Sequence, residues 1–118
     1  RQRQMCIRDR SNIVRTPLIP EGFYSSWAQY TIKLSNKETR DALQNMLRSY
    51  NIPTMVYYPK PMHKQTAFRL NSDYSFDCSI TEKLCDTVLS LPMHPYLKGD
   101  DIELVASKIK EYFDQERI

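Results

Sequence analysis

The 118-residue sequence predicts an α+β small domain in two layers, ordered β-α-β-α-β-α, with about three strands and the helices packed on one side. Three observations carry that reading. Residues 27–34 alternate at period two, with Ala28, Tyr30, Ile32 and Leu34 on one face and Trp27, Gln29, Thr31 and Lys33 on the other. Two later segments change to the helical period behind a Ser-x-x-Glu start, the signature of a capping box. Two short β-favouring runs, Thr54-Met55-Val56-Tyr57-Tyr58 and Val88-Leu89-Ser90-Leu91, each end at a proline.

In chain order, residues 11–26 hold Pro17, Pro20 and Gly22 among extended residues and are expected to be a connector from a preceding domain. The strand at 27–34 follows. Ser35-Asn36-Lys37-Glu38 then opens a helix, with Ser35 as the expected cap and Leu43, Met46, Leu47 and Tyr50 as its buried face. Asn51 is a natural left-handed stop, with Pro53 just beyond it. After the second strand comes a proline-rich rim, and Asn71, Ser72 and Asp73 mark a loop. Ser79-Ile80-Thr81-Glu82 starts the next helix, whose Ile80, Leu84 and Val88 share one face. The third strand ends at Pro92, and Met93-His94-Pro95-Tyr96-Leu97 forms a stiff turn. In the last helix Asp100, Asp101 and Glu103 complement the positive end of the dipole, and Ile102, Val105, Ala106, Ile109 and Phe113 form the apolar face.

Composition narrows the function classes. Hydrophobic residues make up 41% and charged residues 26%, as in an ordinary globular chain of one domain. No apolar run reaches the roughly 18 residues of a spanning helix, so no membrane segment is expected. The net charge of +3 comes from the first ten residues, where four arginines face Asp9. Setting these aside removes four of the 17 basic and one of the 14 acidic residues and leaves 13 of each, so the body has no basic footprint for nucleic acid. Residues 1–10, Arg-Gln-Arg-Gln-Met-Cys-Ile-Arg-Asp-Arg, back-translate into a string resembling a transposase-type sequencing adapter. We expect them to be a non-native scar. Beyond Cys6, Cys78 and Cys85 remain; they are too few for a disulfide framework and fit reduced cytoplasmic thiols, with Cys85 in the core.

Several chemistries lack their residues. With only Gly22 and Gly99 there is neither a phosphate-cradling loop nor a dinucleotide fingerprint. His63 and His94 have no third ligand at metal spacing, and most acidic residues stand at helix starts, where capping explains them. The chemistry-bearing stretch is residues 52–68. Its strand is broken by Pro59 and Pro61 into a stiff rim carrying Tyr58, Lys60, His63, Lys64 and Gln65. Such a rim is either a site for a polar or phosphorylated ligand or an ordinary strand exit with solvated polar groups.

Three stretches in this order resemble the C-terminal small domain of the DegT/DnrJ/EryC1/StrS sugar aminotransferases. They are Trp27-Ala28-Gln29-Tyr30, Ile52-Pro53-Thr54 leading into Tyr57-Tyr58-Pro59-Lys60-Pro61-Met62-His63-Lys64-Gln65, and Leu89-Ser90-Leu91-Pro92-Met93-His94-Pro95-Tyr96-Leu97. The resemblance covers residues 11–118, with 27–118 as the small domain. It implies a type I pyridoxal 5′-phosphate enzyme, homodimeric, whose preceding large domain supplies the Schiff-base lysine and most cofactor contacts. No residue of this segment is then expected to be catalytic, cofactor-binding or metal-binding. The implied reaction moves an amino group from an amino-acid donor, glutamate by family analogy, to a nucleotide-diphosphate ketosugar, in cell-surface polysaccharide biosynthesis. By the same resemblance Tyr57 and Tyr58 face the substrate, with His63 and Gln65 as secondary candidates; the other reading of these two is as rim residues that hold the loop. Tyr58 matches the family's tyrosine in a His-Tyr-Pro pattern, and Tyr57 stands where histidine is common. A phenol is uncharged at neutral pH and brings a hydrogen bond but no imidazolium charge. Trp27 and His94 are expected to be structural. The segment alone is expected to be inactive. The competing expectation is a stand-alone α+β module that binds a metabolite or a protein without catalysis.

Overall fold

The computed structural model describes residues 14–69 and 77–115. The expected scar at 1–10, the first residues of the connector and the loop marked by Asn71, Ser72 and Asp73 lie outside the described residues. The elements are β1 (Tyr30–Lys33), α1 (Lys37–Ser49), a 3-10 turn (Met62–Lys64), the single turn α2 (Thr66–Arg69), α3 (Ser79–Thr87), β2 (Val88–Leu91) and α4 (Gly99–Gln115). The α+β class is as the sequence predicts.

β1 and β2 pair antiparallel, with Tyr30 opposite Leu91 and Ile32 opposite Leu89. Alternation then places Tyr30, Ile32 and Leu34 in the core with Leu89 and Leu91. On the other face the Thr31 and Ser90 hydroxyls share a 2.8 Å hydrogen bond. An isolated bridge flanks each strand. Arg15 exchanges backbone bonds of 2.8 and 2.9 Å with Lys33, and Met55 exchanges bonds of 3.1 and 2.8 Å with Ser90.

The Met55 bridge corrects the expected strand at residues 54–58, so two strands form among the described residues. Pro53 and Pro59 bracket the run, and their locked φ and missing N–H groups leave little length for a ladder. β1 also starts later than its alternation implies. Trp27 takes φ 52, which turns the chain out of extended geometry and leaves Ala28 exposed.

α1 begins at Asn36 rather than Ser35, with the Asn36 Oδ1 accepting from the Thr39 amide at 2.8 Å. Its far end closes as expected. Asn51 sits at φ 57, its amide donates to the Arg48 carbonyl at 2.9 Å, and the Ile52 amide donates to the Leu47 carbonyl at 3.0 Å. This is a Schellman closure, with Leu47 and Ile52 both buried beneath it.

α1 packs on α4, α3 and β2. Leu43 and Leu47 meet Val105, Ala106, Ile109 and Phe113 of α4 in the core. Two expected helix faces differ. Tyr50 is exposed, its ring covered by the Lys108 Nζ at 4.1 Å. On α3, Ile80 is 77% exposed and Leu84 38%, while Cys85 and Thr87 face inward. β2 starts at the residue after α3 with no connecting turn, so the helix phase is set by how Val88 enters the sheet.

One buried charge escaped the sequence reading. Arg40, 5% exposed, sends its Nη1 to the carbonyls of Cys85 (3.1 Å) and Val88 (3.4 Å), and its Nε to Asp41. The guanidinium therefore occupies the C-terminal end of α3, where carbonyls lack helical partners and the dipole is negative.

Candidate functional site

The proline rim is a strap pinned at both ends. At one end Met55 is tied to Ser90 through the backbone. At the other, His63 and Lys64 reach Glu82 on α3, with His63 Nε2 at 3.0 Å from Oε1 and Lys64 Nζ at 2.7 Å from Oε2. Between the pins, Pro61 is buried and the 3-10 turn closes through Lys64 N–H to the Pro61 carbonyl at 3.0 Å.

Tyr57 and Tyr58 lie on this strap, 42% and 71% exposed, with their rings edge to face at 6.1 Å and a cis peptide between them. Tyr57 lines a groove of ≈ 260 Å³ together with Gln29, Met55, Ser90, Met93 and His94. Its floor is the end of β2 and its walls are the strap and the Met93–His94 turn. The lining is mostly apolar, with a phenol, an imidazole and an amide at the edge, a surface suited to a flat, uncharged ring.

The four candidates for facing substrate are therefore divided. Tyr57 opens on the groove and Tyr58 stands in solvent beside it. His63 is turned toward α3 and engaged with Glu82. Gln65 is half-buried at the end of the 3-10 turn, its backbone N–H donating to the Met62 carbonyl at 3.0 Å. His94, expected to be structural, is exposed at the groove. The Pro92–Pro95 spacing around it was the available signal, because two prolines hold the turn out from the strand end.

Glu82 also departs from its expected capping role. α3 has no side-chain cap at Cys78, and the Ser79 amide is met by the Asp77 Oδ1 at 3.0 Å. The hydrogen bonds from Lys64 and then His63 hold the Glu82 carboxyl below the ordinary glutamate range, and the Ser79 amide does the same for Asp77. A carboxyl depressed in the folded state favours folding above its unfolded value, and that contribution disappears as pH falls through the folded value. Acidification below the usual carboxylate range is therefore expected to release the strap before the sheet. Tyr57 and Tyr58 ring resonances should shift at a higher pH than the amides of β1 and β2.

No lysine lines the groove. The side chain of Lys108 is only 21% exposed, but it is bound to Glu111 at 2.7 Å and its amine is held more firmly protonated, the opposite of what imine formation requires. Neither the groove nor Lys108 therefore offers an amine suited to imine formation.

The model of the DegT/DnrJ/EryC1/StrS aminotransferase family matches residues 4–110. The chain belongs to this family. It is 34% identical over 96 residues to the UDP-2-acetamido-2-deoxy-3-oxo-D-glucuronate aminotransferase of Pseudomonas aeruginosa, covering 81% of this chain and 25% of that protein. It is 38% identical over 102 residues to the "Pleiotropic regulatory protein" of Geobacillus stearothermophilus, covering 86% of this chain and 27% of that one. The crystal structure of a DegT DnrJ EryC1 StrS aminotransferase from Brucella abortus superposes with a TM-score of 0.80 at 35% identity, over 94% of this chain and 28% of its own. The chain thus spans about a quarter of the length of these relatives. Enzymes of the family use pyridoxal phosphate. Among the described residues, no helix is long and apolar enough to cross a membrane.

Proposed function

We propose that this chain is the substrate-side wall of a pyridoxal-phosphate-dependent sugar aminotransferase. The preceding part of that enzyme holds the cofactor, and the enzyme aminates a nucleotide-linked ketosugar at the expense of an amino acid such as glutamate. The observation that carries this reading is the family match along residues 4–110, combined with a groove that offers hydrogen-bonding groups but no lysine. The cofactor supplies the electron sink for the carbon chemistry. This chain supplies position. The Tyr57 phenol and the His94 imidazole in the groove, and the Tyr58 phenol exposed beside it, can hold hydroxyl or carbonyl groups of the sugar nucleotide, while Met55 and Met93 exclude water from its ring face. Residues 11–26 are the link to the large domain, and the parent is a homodimer. Cys78 and Cys85 are free thiols, in keeping with work in the reducing cytoplasm.

The test compares residues 11–118 alone with the same residues joined to their upstream coding sequence. The short chain is expected to give no aldimine absorbance with pyridoxal phosphate and no amination of a UDP-linked 3-ketosugar; the longer one is expected to give both. Turnover by the short chain would overturn the reading. The second reading is a module that binds without catalysing, and the regulatory name of the Geobacillus relative favours it. A start codon immediately before Ser11 would support that one instead.

A further inference from the structure

Glu82 has no capping role in α3, yet both of its carboxylate oxygens are engaged. It is joined to two adjacent residues of the strap, His63 through Oε1 and Lys64 through Oε2, at 3.0 and 2.7 Å. We propose that Glu82 is a positioning residue, a side-chain anchor that holds the far end of the Tyr57–Tyr58 strap against α3. This deepens the proposed function, because the two phenols that it would align are those of the substrate-side wall.

The geometry makes this a clamp rather than a general stabiliser. The near end of the strap is held by two backbone bonds between Met55 and Ser90, which no side-chain change removes. The Pro59 and Pro61 rings stiffen the span between the pins, so the setting of the far end is transmitted to Tyr57 and Tyr58. A carboxylate only accepts hydrogen bonds, and so it requires His63 to present Nε2–H. That fixes the ring orientation as well as the strap. Glu82 is 39% exposed and its partners 25% and 50%. Pairs that open to water contribute little to global stability, and the effect is expected to be local.

The test uses this chain, free of ligand, and reads amide hydrogen exchange at Lys64 and Gln65, whose N–H groups donate to the Pro61 and Met62 carbonyls at 3.0 Å, against the amides of β1 and β2. Glu82→Ala is expected to raise exchange on the strap by roughly threefold or more and to leave the strands within about twofold of the wild type. Glu82→Gln, which keeps an acceptor but loses the charge, should fall between the two. Lys64→Met should loosen the strap by itself and add nothing in the Glu82→Ala background, because the shared partner is already gone. An unchanged strap in Glu82→Ala overturns the proposal, and so does an equal rise over strap and strands. Since no ligand enters the measurement, the clamp can fail while the wall reading stands, and the reverse also holds.

Discussion

Replacing Leu89 by alanine is expected to lower the unfolding free energy by about 3 kcal/mol, enough to move a domain of this size down by roughly 15 °C. Leu89 is 0% exposed and lies opposite Ile32, also 0% exposed, in the middle of the two-stranded ladder. Helix α1 covers β2, and the surrounding core includes Leu43 and Leu47. The removed methyl groups lose their transfer energy, and the packed neighbours can close the cavity only in part. A chain of this length has room for a single core of modest size, and its total stability is on the order of 10 kcal/mol, so one such cavity is a large share of it. Urea denaturation followed by far-UV circular dichroism would measure the loss. A midpoint unchanged from the wild type would mean that Leu89 is not at the centre of the core.

Arg40→Met is expected to cost about 2–4 kcal/mol despite its nearly conserved volume. The guanidinium is the donor for the Cys85 and Val88 carbonyls at the point where α3 passes directly into β2. Methionine fills the space but donates nothing, leaving enclosed carbonyls and the Asp41 carboxylate without their partner. Arg40→Lys should recover only part of the loss, because one ammonium cannot reproduce the planar fork that reaches two carbonyls and a carboxylate at once. Amide exchange gives the discriminating measurement, with the largest increase expected over Cys85–Leu89. If Arg40→Met is as stable as the wild type, the buried charge is a passenger rather than the tie between α1 and the α3–β2 junction.

Local chemistry made much of the frame legible. The alternation of Tyr30, Ile32 and Leu34 places β1, and the Leu43/Leu47 spacing places α1. Asn51 followed by Ile52 and Pro53 specifies the closure of α1, because each carries a conformational preference that neighbours need not supply. The α4 face of Val105, Ala106, Ile109 and Phe113 is readable for the same reason. The site was legible only as a stretch. Pro59 and Pro61 marked Tyr58 as the start of a stiff rim, but Tyr57 was expected inside a strand, and which of Tyr57, Tyr58, His63 and Gln65 would share a surface was not readable.

By itself, then, the sequence determined the α+β class, the order of its main elements and the helix stop at Asn51, all of which rest on periodicity, capping and backbone preference within a few residues. Tertiary structure alone decided that residues 54–58 pair through a single bridge and that Arg40 goes into the interior. It also decided that Glu82 leaves its own helix end to grip His63 and Lys64, and that His94 reaches the groove beside Tyr57. Each of these depends on partners 18 or more residues away in the chain or on a competing acceptor for the same donor. Such choices are settled by which groups packing brings within hydrogen-bond range, and no local preference encodes that distance.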